Sequence, residues 1–440
     1  MESRCIPPAS VKTLHRNTGL RVQLSDFPRG TPLVLDPLDP TAYLEDTWPQ
    51  PLHKPLCLPK IYVYPEDPRM GEFQRKHIET HTVYSSEIIL LNQLRDPNSV
   101  FHKTYVTTNP DDADFFLIPF LGANYLMYCR NHLGHRNDDC EMEKKYVTPM
   151  MDHIQSNLPY WNRSHGRDHI IFHPMDLAAL YYPTTRHRFL NATFLTTIGD
   201  KRFVAYGSQR VRRYHDITIP SATHMPLLPE YDPARFLDDR GFPLETWNHR
   251  RDIFVLFGGI YEDVQRTDRY SSGIRALLHE QGFDRLPGYK LSKWWEYGDY
   301  AQLLSRAKYG LAPQGWTLDT TRVWEYIAFG VVPVVIADGI IEPFEDDVDW
   351  QSFTVRISRS EAHRMDEILR SISEDEYERK RQAVWSHARQ MLFTHDTWHL
   401  IVRQLCRMRF DLAGMQTLPG GKHVAFDYAT VAIQTSMYNP

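Results

Sequence analysis

Short apolar runs alternate with longer segments of helical character along the first half of the chain. The runs are apolar on both faces and rich in β-branched and aromatic residues, which is typical of buried strands in a parallel sheet. Alternation of such strands with helices favours an α/β domain. The pattern predicts strands at residues 60–64, 114–119, 169–173, 193–198 and 216–220, and helices at about 85–95 and 146–157.

A second series of the same kind begins at residue 253. The preceding stretch, residues 226–250, is rich in proline and charge, and it indicates a connection between two domains. Residues 1–57 are proline-rich without any period, which indicates an extended, partly disordered arm. The second series has predicted strands at 253–257, 309–312 and 331–337, helices at about 273–280, 298–305 and 321–329, and a mostly helical end at 361–411.

Two α/β domains agree with the length of the chain. Its 440 residues exceed what a single hydrophobic core usually organises. We therefore expect an arm at residues 1–57, an amino-terminal domain at 58–235, a carboxyl-terminal domain at 250–412 and a tail at 413–440.

The composition is that of an ordinary globular protein, with 42% hydrophobic and 24% charged residues. A formal net charge of −5 gives no reason to expect a nucleic-acid partner. Aromatic residues make up 12% of the chain. Such rings serve most often in core packing, and in carbohydrate clefts they also serve as stacking surfaces.

The sequence contains features that point to different cellular compartments. No apolar run approaches the roughly 20 residues that span a bilayer, and the amino terminus lacks the apolar core of a signal peptide. Two N-glycosylation acceptor patterns nevertheless occur, at Asn162 and at Asn191. Both asparagines are therefore predicted glycosylation sites of a protein that enters the secretory route.

Two of the five cysteines, Cys129 and Cys140, flank a polar segment that also contains His132 and His135. The spacing suits a disulfide that closes a surface loop, and it also suits a zinc site. Two unpaired thiols are the third alternative. The residues by themselves leave all three open, and the disulfide is our first expectation.

Residues 303–349 carry the clearest chemical signal in the chain. They have the pattern of a strand, a glycine-bearing loop, a helix, a tight glycine turn and a second strand. Asp319 or Thr320 is the predicted N-cap of this helix. Gly330 stands where a left-handed residue commonly ends a helix.

Arg322 falls in the first turn of this predicted helix, where a positive charge opposes the helix dipole. The arrangement suits a bound anion, because a helix amino terminus and an arginine together favour a diphosphate. Glu325 shares a helix face with Arg322, and its carboxylate can accept hydrogen bonds from ribose hydroxyls. A plain Arg–Glu pair on a surface explains the same residues equally well.

A longer pattern distinguishes these alternatives. The segment resembles the donor-binding core of exostosin-family glycosyltransferases, and the resemblance extends over about residues 60–400. It is most similar to the plant branch that builds the xylan backbone. The residues in register are Leu311, Pro313, Gly315, Arg322, Glu325, Gly330, Pro333, Val334 and Asp338, followed by 343–346, 349–350 and 353–355, and preceded by 60–64, 111–119 and 158–169.

The resemblance implies a GT-B architecture, in which two Rossmann-like domains face each other across a cleft. It implies an inverting glycosyltransferase that moves a sugar from a nucleotide-sugar donor, UDP-linked, to a glycan or glycoprotein acceptor. It implies no obligatory metal or other cofactor, so the acidic run at residues 111–114 is interpreted as a loop that leads into a strand. The expected location is the lumenal side of the Golgi, in association with the membrane.

Several donor-binding residues follow from the resemblance. Arg322 and Glu325 match the family's donor-binding pair, Tyr300 matches a tyrosine near the nucleotide, and Arg275 matches an arginine that faces the diphosphate. The loop before the helix adds two further predicted contacts. These are Gln314 and Gly315.

One departure from the family pattern concerns Gly258. The family usually has an arginine or lysine there, and its loss weakens donor binding unless Arg266 or Arg269 substitutes. The departure favours an alternative function, that of a non-catalytic, exostosin-like subunit that works with a homologous subunit in a polysaccharide synthase.

The catalytic base is predicted in the amino-terminal domain. Inverting transfer needs a group that removes the proton of the attacking acceptor hydroxyl, and loops at the carboxyl ends of strands are the expected place. Asp176 is the first candidate because it matches an aspartate of the family. His173, at the end of a predicted strand, and Glu66 and Asp67, after the first strand, are the others.

Overall fold

The amino-terminal half of the chain builds a five-stranded parallel sheet. The computed structural model describes residues 58–65, 84–134, 140–174, 181–201, 211–212, 215–222, 231–245, 250–261, 270–293, 295, 297–393 and 397–415. The strands lie side by side in the order in which they occur along the chain. They are β1 (Ile61–Val63), β2 (Phe115–Ile118), β3 (His169–His173), β4 (Thr193–Thr196) and β5 (Ile217–Thr218).

The carboxyl-terminal half builds a second five-stranded parallel sheet. Its strands are β6 (Ile253–Gly258), β7 (Tyr289–Ser292), β8 (Ala307–Pro313), β9 (Val332–Ile336) and β10 (Val355–Arg356). They lie in the order β10-β9-β8-β6-β7, and all pairs are parallel. The chain therefore reverses its direction across the sheet between β6 and β8. In open α/β sheets, ligands bind outside the carboxyl ends of the strands at such a reversal.

Helices cover the two sheets and connect their strands. In the described ranges, no helix is both long and apolar enough to cross a membrane. The α-helices are α1 (Ser86–Arg95), α2 (Val100–Tyr105), α3 (Gly122–His132), α4 (Thr148–Asn157), α5 (Tyr160–Ser164), α6 (Ile274–Glu280), α7 (Tyr297–Arg306), α8 (Arg322–Ala328), α9 (Met365–Ser371), α10 (Glu374–Ser386) and α11 (Thr397–Met415).

Five elements escaped the sequence pattern, and two of them, α2 and α5, are helices of only six and five residues. Helix α3 follows β2 so closely that their apolar residues merge into one run. Strand β7 alternates buried and partly exposed residues over only four positions, and β10 has two residues, so neither produces a recognisable run. The predicted helix at 146–157 begins in a single π-helical turn, Glu143–Val147, before α4.

The last helix, α11, connects the two halves of the molecule. The Trp398 indole N–H donates to the carbonyl of Leu90 in α1 at 3.0 Å. Further along α11, the Arg403 Nε donates to Asp347 Oδ1 at 2.7 Å, and both side chains are buried. The helix therefore packs on the amino-terminal domain at one end and pairs with a carboxyl-terminal loop further on.

The two domains also meet through main-chain hydrogen bonds. The amide of Lys201 donates to the carbonyl of Gly339 at 2.9 Å, and the amide of Ile341 donates to the carbonyl of Gly199 at 2.9 Å. A Cβ atom on Gly199 would overlap the carbonyl of Ile341, so this close approach of the two chains requires glycine there. This contact fixes one end of the space between the two sheets.

Glu342 is buried directly beside this contact. Burial raises the pKa of its carboxyl to about 8. The carboxylates of Asp319 and Glu345 act in the same direction, and the cations of Arg356 and Lys201 act against it. The carboxyl therefore keeps its proton in the folded chain at pH values where an unfolded chain has lost it.

We expect this proton to make stability depend on pH. Between about pH 4.5 and pH 8 the folded state binds more protons, so the free energy of unfolding falls as pH rises, by about 1.4 kcal/mol per unit. Glu342→Gln removes this contribution and flattens the dependence. Urea unfolding of both proteins at pH 5 and pH 8.5 measures the difference. Identical pH dependence in the two proteins would contradict the expectation.

Candidate functional site

A cavity of about 240 Å³, which we call the cleft, lies between the two sheets. One wall follows the carboxyl ends of amino-terminal strands and includes Pro174 after β3, Thr197 after β4 and Ser221 after β5. The opposite wall includes Ile260 after β6 and Gly315 after β8. The cleft therefore opens at the strand reversal of the second sheet, where this type of fold binds ligands.

Arg322 lies in the wall of the cleft at the first residue of α8. Its Nε donates to the carbonyl of Gly258, and its guanidinium carbon is 5.3 Å from the centre of the Phe257 ring. A Cβ atom on Gly259 would lie 2.5 Å from the Nη2 of Arg322. The glycine after β6 therefore makes room for the guanidinium, and the arginine is held with nitrogen atoms near the cleft.

The start of α8 differs from the prediction. Its N-cap is Thr321, which makes no side-chain capping hydrogen bond, so neither Asp319 nor Thr320 caps the helix. With seven residues, α8 also has a small dipole. The charge of Arg322 is therefore the main attraction for an anion at this end. The predicted left-handed residue is present at Gly330, with φ +66°.

Thr320 leaves a polar group without a partner in the cleft wall. The residue is only 8% exposed, and its hydroxyl has no hydrogen-bond partner among the described residues. A buried hydroxyl in that state costs about 1–3 kcal/mol. Thr320 lines the cleft two residues before Arg322. A ligand oxygen would reach its hydroxyl only after rotation of the side chain, because the hydroxyl oxygen has almost no accessible surface.

Glu325 lies one helical turn after Arg322, and its carboxylate is oriented by Tyr300. The Tyr300 hydroxyl donates to Glu325 Oε2 at 3.0 Å. Burial and the nearby carboxylate raise the pKa of Tyr300 well above its usual value, so the hydroxyl remains a donor. Tyr300 is buried in the core rather than in the lining of the cleft. In the structure the Tyr300 hydroxyl supports the carboxylate of Glu325. A direct contact between Tyr300 and a nucleotide stays a prediction.

Arg275 forms hydrogen bonds with the main chain at the ends of both β6 and β8, the two strands at the reversal. Its Nε donates to the carbonyl of Gln314 at 3.2 Å, its Nη1 to the carbonyl of Ile260 at 3.3 Å, and its Nη2 to the carbonyl of Pro313 at 3.1 Å. Burial and the charge of Arg322 lower its pKa to about 10. The side chain forms part of the cleft wall, and its contact with a diphosphate stays a prediction.

The two remaining donor-binding predictions lie in the same loop. The Gln314 side-chain amide donates to the hydroxyl of Ser272 at 2.8 Å, so it is directed at the neighbouring loop. Gly315 lines the cleft, and its carbonyl accepts from the amide of Ser271 at 2.8 Å. The loop is thus fixed on both sides before any ligand binds.

His173 requires a correction. Its imidazole is buried, stacks on Phe194 at 4.9 Å and shares a hydrogen bond between its Nε2 and the hydroxyl of Tyr182. Burial lowers its pKa to about 3, so the ring is neutral and a very weak base. It does not line the cleft, and the structure argues against a role as the base. The other three candidates, Glu66, Asp67 and Asp176, lie outside the described residues.

Asp319 is a residue of the cleft that the sequence pattern did not indicate. It is the only carboxylate among the described residues that line the cavity. The hydroxyl of Ser221, from the opposite wall, donates to Asp319 Oδ2. No local pattern reveals this contact, because it joins residues 98 positions apart. Trp316 lines the cleft as well and was not among the predicted site residues.

The acidic run at residues 111–114 and the carboxyl-terminal loop that contains Asp347 make contacts within the protein. Asp114 Oδ2 accepts from the amide of Lys60 at 2.7 Å, and Asp112 accepts from the side chain of Asn109 at 3.1 Å. Asp347 pairs with Arg403, as described above. Across the described ranges, no group of three or more histidine, cysteine or acidic side chains is arranged to hold a metal ion.

The remaining predicted residues lie on the amino-terminal domain, away from the cleft. Of the three alternatives for Cys129 and Cys140, the structure has the disulfide, with an S–S distance of 2.05 Å. Cys129 lies in helix α3, so the polar segment begins as a helix rather than as a loop. Asn162 is exposed in α5, and Asn191 is half-buried before β4. Glycosylation at either asparagine stays a prediction.

Fold and site together define a GT-B-type α/β protein, with a cationic cleft between two parallel sheets. Residues 58–372 match the family model described as the Exostosin GT47 domain. The chain belongs to this family and is a glycosyltransferase.

Named relatives agree with this assignment. A probable glucuronosyltransferase of Oryza sativa subsp. japonica is 28% identical over 331 residues, covering 73% of this chain and 74% of the relative. The probable β-1,4-xylosyltransferase IRX10 of Arabidopsis thaliana is 28% identical over 319 residues, covering 68% of this chain and 71% of the relative.

Similar solved structures include Anabaena HepE in complex with UDP-glucose, which is 11% identical. The match covers 80% of this chain and all of HepE, with a TM-score of 0.33. Sucrose-phosphate synthase from Thermosynechococcus elongatus is 12% identical, and the match covers 75% of this chain and 72% of the synthase, with a TM-score of 0.30. Scores of this size add nothing to the fold described above.

Proposed function

We propose that the chain is an inverting glycosyltransferase that moves a sugar from a UDP-linked donor to a glycan or glycoprotein acceptor. The observation that carries this proposal is Arg322, held by the carbonyl of Gly258 in the wall of the cleft at the strand reversal. A guanidinium binds a diphosphate through charge-assisted hydrogen bonds. The unpartnered hydroxyl of Thr320 lies two residues away and becomes a second donor for a phosphate oxygen when its side chain rotates toward the cleft.

In this proposal, Glu325 binds the nucleoside part of the same donor. Its carboxylate is oriented by Tyr300 at 3.0 Å and lies one helical turn from Arg322. A fixed carboxylate suits the two hydroxyls of a ribose ring, which are hydrogen-bond donors. Gly258 supplies no cation, which favours the alternative of a non-catalytic subunit. Arg275 compensates for this loss in our proposal, since its charge lies beside Arg322.

We further propose that Asp319 is the catalytic base. It is the single carboxylate among the described residues of the cleft lining, and it reaches the opposite wall through Ser221. A base must lie within hydrogen-bond reach of the acceptor hydroxyl that it deprotonates. Asp176 and Glu66 remain the other candidates for this role, on the strength of the sequence alone.

Binding of nucleotides to the whole chain tests the donor class. Calorimetry compares UDP with uridine, and UDP is expected to bind at least about a hundredfold more tightly, because charge-assisted hydrogen bonds each contribute about 1.5–3 kcal/mol. Equal and weak binding of both would contradict the diphosphate site. UDP binding without any hydrolysis of UDP-xylose, UDP-glucuronate or other UDP-sugars would favour the non-catalytic alternative.

We expect transfer to persist in a chelator. In metal-dependent enzymes a divalent ion neutralises the departing diphosphate. Here Arg322 and Arg275 supply fixed positive charge in the cleft, which can stabilise that leaving group without an ion. Initial rates with and without EDTA measure the effect, and added manganese should raise the rate only modestly. Complete loss in EDTA, restored by manganese, would show that this account of the leaving group is wrong.

The setting of the reaction follows from the family and stays a proposal. The relatives named above are called glucuronosyl- and xylosyltransferases, so the first donors to examine are those of glucuronic acid and xylose. Action on the lumenal side of the Golgi, in association with the membrane and with a homologous subunit, is the setting that we propose for such an enzyme.

A further inference from the structure

Two large apolar side chains of the cleft are exposed to solvent. Trp316 is 68% exposed and Ile260 is 50% exposed. They lie on the loops after β8 and β6, on either side of the strand reversal. Other tryptophans of the domain, such as Trp324 and Trp350, are buried in the core. A single exposed apolar side chain is common, but two large ones together at the edge of a cavity form an apolar surface that a ligand can cover.

The indole of Trp316 is supported by a fixed neighbour. The ring of Tyr270 packs against it edge to face, with 5.1 Å between the ring centres. The hydroxyl of Tyr270 accepts from Arg275 Nη1 at 2.7 Å. Arg275 is itself held by three main-chain carbonyls, as described above. The apolar surface formed by Trp316, Tyr270 and Ile260, which we call the platform, therefore has a rigid base.

The contacts give an order of groups from helix α8 to the platform. Tyr300 and Glu325 pair outside the cleft lining, and Arg322, one helical turn before Glu325, lines the cleft beside Gly258 and Gly259. Beyond Arg322 come the groups joined through Arg275, and the platform is the last of these. A nucleotide sugar with its ribose at Glu325 and its diphosphate at Arg322 would therefore direct its sugar toward the platform.

We propose that the platform binds a sugar ring of the acceptor glycan, next to the point of transfer. This inference rests on the proposed function. The apolar C–H face of a pyranose ring packs well on an indole, while its hydroxyls stay at the edge of the ring. The large exposure of Trp316 suits an acceptor, because a glycan chain must continue from the cleft into solvent.

Two variants and one control test the platform. In Trp316→Ala the KM for the acceptor rises about tenfold, which corresponds to the loss of one ring contact of about 1.4 kcal/mol, while the Kd for UDP is unchanged. Trp316→Phe restores most of the acceptor affinity, because it keeps an aromatic face. Leu244→Ala is the control, since Leu244 is also exposed, at 47%, but does not line the cleft.

The rate of donor hydrolysis in the absence of acceptor distinguishes between the possible ligands of the platform. It remains at the wild-type rate in Trp316→Ala if the platform holds the acceptor. A weaker Kd for UDP in this variant would assign the platform to the nucleobase, and a raised KM for the donor alone would assign it to the donor sugar. Either result, or unchanged kinetics, overturns the inference. Absence of UDP binding in the wild-type protein overturns the proposed function instead.

Discussion

Replacement of Arg322 by alanine is expected to raise the Kd for UDP about a hundredfold or more. The substitution removes the cation that is held at the cleft by Gly258, and charge-assisted contacts to a diphosphate contribute about 3 kcal/mol in total. Arg322→Lys keeps the charge and loses the planar fork, so its effect should be intermediate. Calorimetric titration with UDP gives the three values.

The controls for this prediction lie in the same wall. Thr320→Val keeps the shape and removes the unpartnered hydroxyl, so it should weaken UDP binding less than Arg322→Ala and leave the fold intact. Glu325→Gln should also be milder, because an amide still accepts a hydrogen bond from ribose. An unchanged Kd in a folded Arg322→Ala protein would refute the diphosphate site. Greater damage from Glu325→Gln would give Glu325 a role that needs its charge.

Asp319→Asn is expected to reduce kcat for transfer by about 10²–10⁴-fold, while the Kd for UDP stays near its wild-type value. The amide keeps the size of the side chain and the contact with Ser221, but it cannot take a proton from the acceptor. Ser221→Ala, which removes only the contact across the cleft, should have a much smaller effect. Initial rates at saturating donor measure each variant.

The same assay judges the bases that the sequence suggested. The transfer rates of Asp176→Asn and Glu66→Gln are measured beside that of Asp319→Asn. We expect one substitution to lower the transfer rate far more than the others. A transfer rate in Asp319→Asn close to that of the wild-type protein would remove Asp319 from this role. A large loss in Asp176→Asn alone would give the role to the first sequence candidate.

Local patterns predicted most of the framework. Strand β8, its loop, helix α8 and strand β9 occupy one continuous segment, so periodicity and glycine positions were enough to find them. Edge strands β7 and β10 were missed because short strands at the margin of a sheet bury few residues and leave no apolar run. Gly330 was predicted correctly because the end of a helix imposes a left-handed residue locally.

The chemistry of the cleft depends on contacts between distant residues. Ser221 and Asp319 meet across the cleft, and Tyr300 orients Glu325 from another helix. Arg275 was expected to face a ligand, yet most of its donors are directed at carbonyls of the two strand ends. His173 was misjudged because a residue at a strand end can face either the cleft or the core. Only the packed structure distinguishes these directions.

The most direct test of the account is the mass of the product. The whole chain is incubated with single UDP-sugars and with xylan or other glycan oligosaccharides, and the acceptors are analysed by mass spectrometry. The account predicts that at least one pair yields an acceptor heavier by one sugar residue, with release of UDP, and that Arg322→Ala lowers the yield. A protein that binds UDP but neither extends any acceptor nor hydrolyses any donor would contradict the claim that this cleft catalyses sugar transfer.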